Sequence, residues 1–243
     1  MTPRRARPES CLVWDAGRLV SAAGRLAITL STVIVAFLTA CGASGALSMD
    51  PRPRAFTPSD YERIRDRWTR EERGFAFSRL EDTLHVSATF QSWEQRWAYV
   101  VRYASDYSLD TTERTRLLRA TLDDARAHHR FFVSLAGNSW RESDLTGERS
   151  AWRVVLVDDR GVAHAPSALE RVARPGPGER GYYRVTPFRR VFRVAFPAQG
   201  PDGAPTIAPD ARHVTLRFTG PQGAVDLVWE LAPTEATAGG EAR

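Results

Sequence analysis

The stretch that decides the fold is HVTLRFTGPQGAVDLVWEL, residues 213–231. Two runs of alternating apolar and polar residues flank a turn sequence at 220–223, which contains two glycines and a proline. Alternation with a period of two places the apolar side chains of a strand on one face. These apolar positions are Val214, Leu216, Phe218, Val225, Leu227, Trp229 and Leu231. The stretch therefore predicts a β-hairpin with one face buried against a second sheet.

The same alternation occurs earlier in the chain. Residues 83–92 alternate cleanly between apolar and polar side chains, which predicts a half-buried strand. We expect further strands at 96–104, 131–136, 152–157 and 191–196. Together with the hairpin these make about seven strands, most of them joined by links short enough for antiparallel pairing.

Capping patterns and helical spacing predict two helices. Residues 57–60, Thr-Pro-Ser-Asp, are typical of a helix start, and the helix that follows is expected to end at Gly74. Residues 110–113, Asp-Thr-Thr-Glu, form a capping box for a second helix that is expected to end near His129. A short helix is also predicted at 167–172.

These elements predict a mainly β fold. They favour an antiparallel β-sandwich of the immunoglobulin-like type with two inserted or flanking helices. The alternative is an α+β domain with one open antiparallel sheet. We expect a single β-rich globular domain over 57–232, because the flanking segments lack apolar periodicity. Residues 41–56 are predicted to be a flexible tether, and residues 233–243 a disordered tail.

Composition limits the chemistry and the partners of the chain. All 34 basic residues are arginine, so mechanisms that need a catalytic lysine are excluded. Residues 1–40 hold five Arg and two acidic residues, a net charge of +3, so the remainder carries only +2 of the total +5. A near-balanced domain does not indicate a nucleic-acid partner. The two cysteines are Cys11 and Cys41.

The run Leu38-Thr39-Ala40-Cys41 ends an uncharged, apolar segment that begins at Leu26 and follows several arginines. This pattern resembles the signal peptide and lipobox of bacterial lipoproteins. The resemblance implies that residues 1–40 are removed and that Cys41 carries the lipid of the mature chain. The uncharged segment of fifteen residues is shorter than the roughly 20 that span a bilayer. Gly42 implies, in a Gram-negative host, an outer-membrane location facing the periplasm.

Two groups of residues are candidates for a binding surface. The first group lies inside predicted strands and would form a basic stripe if several of its members shared a sheet: Arg102, Arg153, Arg193 and Arg217. The second lies in predicted loops and could stack on sugar rings or anchor a partner: Trp93, Trp140, Tyr182 and Tyr183. The alternatives are a solvated sheet face for the arginines and a lid over the core for the aromatic residues.

No catalytic residue, metal site or cofactor is predicted. The adjacent residues His128 and His129 would point in different directions on a helix, and no third ligand has a recognisable spacing. We therefore expect a lipid-anchored envelope protein that acts as a non-catalytic interaction or assembly module, with an envelope protein or glycan as partner. The alternative is a binding module for cell-wall glycan or lipopolysaccharide. A weaker alternative is an envelope hydrolase whose site is dispersed along the sequence.

Overall fold

The computed structural model describes residues 46–76, 81–141 and 143–233, and in this part of the chain it contains ten strands and four helices. The strands are β1 (Leu47–Ser48), β2 (Thr69–Ala76), β3 (Glu81–Phe90), β4 (His128–Gly137), β5 (Arg153–Val157), β6 (Ala163–His164), β7 (Ala168–Val172), β8 (Arg190–Pro197), β9 (His213–Gly220) and β10 (Gly223–Ala232). The helices are α1 (Tyr61–Trp68), α2 (Trp93–Asp106), α3 (Thr111–Ala127) and α4 (Pro177–Tyr183).

The strands form two five-stranded sheets. Sheet I has the order β1-β10-β9-β5-β6, and sheet II has the order β2-β3-β4-β8-β7. Neighbouring strands are antiparallel except for β1, which pairs with β10 in parallel. The prediction of a mainly β fold is confirmed. The alternative with one open sheet is wrong, because the apolar strand faces are divided between two sheets that share one core.

The inner faces of the two sheets meet around Trp229 of β10. Its ring centroid lies 6.1 Å from that of Phe90 on β3 and 5.4 Å from that of Phe131 on β4. The indole N–H of Trp229 donates a hydrogen bond of 2.9 Å to the carbonyl of Trp68, so the one polar atom of this buried ring is satisfied. Val214, Leu216 and the other apolar hairpin positions are buried as their alternation predicts.

Helices cover the outer face of sheet II. The Tyr183 ring of α4 stacks on Phe132 of β4 with centroids 4.0 Å apart. Arg96 on α2 is buried and its Nη1 donates to Asp124 Oδ2 of α3 at 2.5 Å, which fastens the two helices together. The structure therefore has a helical layer over the outer face of sheet II.

The predicted strand at 96–104 is wrong, since these residues belong to α2. Trp97, Tyr99, Val101 and Tyr103 are spaced two residues apart and so imitate one face of a strand. The buried positions, however, follow helical spacing, at Ala98, Val101 and Ala104. The helix starts where the Ser92 hydroxyl accepts a hydrogen bond from the Gln95 amide.

Two other predicted elements differ from the structure. The first helix ends at Trp68 rather than Gly74, because residues 69–76 form β2 and pair with β3. The helix expected at 167–172 is β7, an edge strand paired with β8. The second predicted helix is confirmed as α3, and its capping box at Asp110 is present. No described helix is both long and apolar enough to cross a bilayer.

The predicted tether at 41–56 is docked on the domain in its described part. Leu47 pairs with Leu231 of β10 and is only 3% exposed. Further along, Arg54 Nη1 donates to Glu94 Oε1 at 3.0 Å, and Glu94 is a buried residue of α2. The apolar Leu47 side chain and the ion pair account for this docking. The predicted signal peptide at 1–40 and Cys41 lie outside the described residues, as do residues 234–243 of the predicted tail.

Candidate binding surface on the helical layer

All six tyrosines of the chain lie in one cluster on the helical layer. Their rings form a continuous network in which neighbouring centroids are 4.4–6.4 Å apart. We call this cluster the tyrosine face, and its members are Tyr61, Tyr99, Tyr103, Tyr107, Tyr182 and Tyr183. Tyrosine combines a large apolar ring with a polar tip, which suits it to surfaces that are half buried and half wet.

Helical spacing explains how the tyrosine face is assembled. Tyr99, Tyr103 and Tyr107 are four residues apart and therefore lie on one side of α2 and of the turn that follows it. The rings of Tyr103 and Tyr107 stack at 4.4 Å, and Tyr107 remains 55% exposed. The hydroxyl of Tyr61, at the start of α1, donates a hydrogen bond of 2.9 Å to the carbonyl of Tyr182. This bond holds α4 against α1.

A pocket of about 400 Å³ opens on this face between α1, the end of α2 and α4. Its lining includes Tyr61, Arg65, Arg102, Asp106, Tyr107 and Tyr182. The Asp106 carboxylate accepts hydrogen bonds from Arg102 Nε at 2.9 Å and from the Tyr182 hydroxyl at 2.9 Å. The pocket thus presents aromatic rings beside two anionic side chains, Glu62 and Asp106, and two cationic side chains, Arg65 and Arg102.

The charges of this pocket are set by these contacts. Hydrogen bonding to Arg102, and then to Tyr182, lowers the pKa of Asp106 below its usual range, so the carboxylate is ionised at neutral pH. Burial and the Asp106 charge raise the pKa of Tyr182, whose hydroxyl therefore stays protonated as a donor. Burial also raises the pKa of Tyr183 to about 12.

This arrangement is suited to binding. Aromatic faces can stack on a flat apolar surface, while the carboxylate and guanidinium can hydrogen-bond polar groups at its edge. Among the residues that the structure describes, no hydrogen bond joins a serine hydroxyl to a histidine ring. Within the same part of the chain, no group of three His, Cys, Asp or Glu side chains could hold a metal ion.

The four candidate arginines lie on three different surfaces. Arg102 is on helix α2, Arg193 is on the outer face of sheet II, and Arg153 and Arg217 share the outer face of sheet I. Three of them pair with a carboxylate: Arg102 with Asp106, Arg193 with Glu170 and Glu179, and Arg217 with Asp226. They do not form one basic stripe, because Arg102 lies on a helix where a strand was expected and the other three are divided between the two sheets.

Three of the four candidate aromatic residues lie in helices, where loops were expected. Trp93 is the first residue of α2, and Tyr182 and Tyr183 are the last two residues of α4. Trp140 lies in a turn and is 55% exposed, with the Arg190 guanidinium 4.0 Å from its ring centroid. Only Tyr182 and Tyr183 therefore belong to the tyrosine face.

Four residues of the tyrosine face were not predicted as site residues: Tyr61, Tyr99, Tyr103 and Tyr107. Two patterns in the sequence could have identified three of them. Ser92 and Gln95 match the first and last positions of a capping box, and the tyrosines at 99, 103 and 107 have the spacing of one helix face.

Comparisons with protein-family models, with curated proteins and with solved structures found no match.

Proposed function

We propose that this chain is a lipid-anchored protein of the cell envelope that acts as a non-catalytic interaction or assembly module through its tyrosine face. The observation that carries the proposal is the gathering of all six tyrosines in one cluster. Three of them, Tyr61, Tyr107 and Tyr182, line a pocket, and Tyr107 is half exposed. Interface hot spots are enriched in tyrosine, tryptophan and arginine, and they cluster rather than scatter. The lipid on Cys41 is proposed from the lipobox pattern, and the outer-membrane location facing the periplasm, in a Gram-negative host, from Gly42.

For the architecture we propose a two-sheet β-sandwich whose strand order differs from that of the immunoglobulin-like type. In the constant-type immunoglobulin arrangement, the second and third strands lie in different sheets. In this chain β2, β3 and β4 are consecutive neighbours in sheet II. This strand order supports a general sandwich in preference to the immunoglobulin-like type.

Site-specific photocrosslinking in intact cells tests the interaction surface. A photoreactive residue replaces Tyr107 in the full chain, and a matched control replaces Trp140, which is equally exposed at 55% but lies outside the tyrosine face. We expect a discrete crosslinked product from position 107 and none from position 140. Equal products at both positions, or none at 107, would contradict the proposed surface. Cys41→Ser tests the anchor separately, since it should leave unlipidated precursor.

The pocket composition favours cell-wall glycan or lipopolysaccharide as a second candidate partner. Aromatic rings next to an ionised Asp106 and Arg102 can stack on a sugar and hydrogen-bond its hydroxyl groups. Sedimentation with insoluble cell wall, and with lipopolysaccharide, measures this binding. We expect Tyr107→Ala to reduce the bound fraction and Trp140→Ala to leave it unchanged.

A further inference from the structure

A second pocket, apolar and separate from the tyrosine face, opens beside the N-terminal segment. It has a volume of about 580 Å³ and lies between residues 49–53, the start of α2 and the last turns of α3. Phe90 and Leu122 are buried residues that line it, and Trp93 and Trp97 stand beside them. Sites for small apolar molecules typically measure about 300–1,000 Å³ and have such apolar and aromatic walls.

The polar groups at this pocket include two hydrogen-bond donors. Trp93 Nε1 is buried and has no hydrogen-bond partner within the described part of the chain. A buried N–H without a partner is destabilising, so an acceptor that reaches this atom would gain a hydrogen bond. Beside it, the Arg126 guanidinium lies 5.4 Å from the Trp93 ring centroid. Arg126 also pairs with Asp123, but both side chains are largely exposed, so this pair is weak.

The pocket has little charge of its own. Among the described residues that line it, Arg126 is the only arginine and none is a carboxylate. His129 also lines it, and burial lowers the pKa of His129 to about 4, so the imidazole is neutral at neutral pH. An apolar cavity whose lining holds a guanidinium matches an acyl chain that ends in an anionic headgroup.

The chain length places this pocket near the membrane if Cys41 carries a lipid, a condition that is part of the proposed function. Met49 lines the pocket and is eight residues from Cys41, which at full extension is at most about 28 Å. Trp and Arg are also the side chains that favour the boundary between lipid and water.

We propose that this pocket binds one acyl chain of a membrane phospholipid, with the Arg126 guanidinium pairing with its phosphate. The domain would then contact the bilayer at a second point besides its anchor. Such a contact would fix the orientation of the domain and leave the tyrosine face, which uses other residues of α1, α2 and α4, free for a partner.

Photolabelling in a bilayer tests the proposal. The mature full chain is reconstituted in vesicles of phosphatidylethanolamine and phosphatidylglycerol, in which the phosphatidylglycerol carries a diazirine on one acyl chain. After irradiation, mass spectrometry maps the labelled residues. We expect label on Trp93, Trp97 and Leu122. Ala125→Phe should abolish this label because the ring fills the pocket, whereas the matched control Ala120→Phe lies on the exposed side of α3 and should not.

Ligand displacement and vesicle flotation separate binding in the pocket from misfolding of the variant and from loss of the anchor. Unlabelled dodecanoate should displace the label from wild-type protein, whereas dodecylamine, with the same chain and a cationic head, should not; this readout does not depend on any variant folding. Label that persists at these residues in folded Ala125→Phe, or that appears only on other surfaces, overturns the proposal. Vesicle flotation reports the Cys41 anchor independently. If the chain does not float, the proposed anchor is absent. Labelling of the pocket by a soluble diazirine fatty acid then still tests whether the pocket binds an acyl chain.

Discussion

Phe131 and Phe132 are consecutive residues of β4, and they face two different parts of the molecule. Phe131 stacks on Phe90 at 4.6 Å in the core between the sheets, where nearly every neighbour is apolar. Phe132 stacks on Tyr183 at 4.0 Å beneath the helical layer. There the neighbouring outer-face residues of sheet II include Ser134 and Arg193. One strand thus supports an apolar core on one side and a polar, aromatic layer on the other.

This difference assigns stability to the core between the sheets and recognition to the helical layer. Burial of apolar area contributes about 25 cal/mol per Å² and needs no particular partner geometry. The rings of the helical layer are instead held by specific hydrogen bonds, such as Gln91 Nε2 to the Tyr183 hydroxyl at 2.7 Å. We therefore expect core substitutions to change global stability, and layer substitutions to change local order and binding.

The largest expected effect is at the centre of the core. Trp229 is fully buried between Phe90 and Phe131, so Trp229→Ala removes a large side chain and leaves a cavity. We expect a loss of about 3–5 kcal/mol in the free energy of unfolding, which is comparable to the whole stability of many domains. Chemical denaturation followed by circular dichroism measures it.

Arg217 on β9 is the matched control for this substitution. It lies on the outer face of sheet I, is partly exposed, and pairs with Asp226 at 2.6 Å. Arg217→Ala should change the free energy of unfolding by less than about 1 kcal/mol, because exposed ion pairs contribute little. A larger loss in Arg217→Ala than in Trp229→Ala would mean that the two faces of the hairpin are exchanged.

The next largest expected effect is a dependence of the free energy of unfolding on pH, caused by His129. Burial lowers the pKa of His129 from 6.5 to about 4, so the unfolded chain binds a proton in this range that the folded chain does not. Stability is therefore complete above pH 6.5 and decreases as the pH falls towards 4. The loss should be roughly 3 kcal/mol, at about 1.4 kcal/mol per pKa unit. Urea unfolding at several pH values should show this slope in wild type and in His213→Gln, but not in His129→Gln.

The core was predictable from the sequence, and most of the layer was not. Alternation in residues 213–231 identifies the buried face because each strand there has one dry side and one wet side. In α2 the same period of two is a coincidence, since the layer buries residues that are charged or aromatic, such as Glu94 and Arg96. Their partners, Arg54 and Asp124, are distant in sequence, so no local pattern indicates that they are satisfied.

The third effect is on the layer itself. Tyr183→Ala removes the ring that stacks on Phe132 and the hydroxyl that accepts from Gln91. We expect a loss of about 2 kcal/mol in global stability, smaller than for Trp229→Ala because the ring is only partly buried. Hydrogen exchange should show faster exchange in α4 and unchanged protection in β9 and β10. Faster exchange throughout both sheets would show that core and layer unfold as one unit. Tyr183→Phe is the control that keeps the stack.

The smallest effect concerns Phe188, which follows the layer and contributes to neither region. Its side chain is 91% exposed, and its backbone is left-handed with φ of 68°. A residue with a Cβ in this conformation is strained by about 1–2 kcal/mol, and glycine is not. Phe188→Gly should therefore raise the free energy of unfolding by up to about 1 kcal/mol, after the entropy that glycine adds to the unfolded chain is subtracted. Phe188→Ala keeps the strain and removes only the exposed ring, so its stability should equal that of wild type. The difference between the two variants in urea unfolding measures the free energy of the backbone strain.

If Phe188→Ala is destabilised as much as Tyr183→Ala, the ring packs on the domain and belongs to the layer. If only the glycine variant differs, the fold retains a residue that weakens it, and residues 184–189 become the next segment to test for a contact outside the chain.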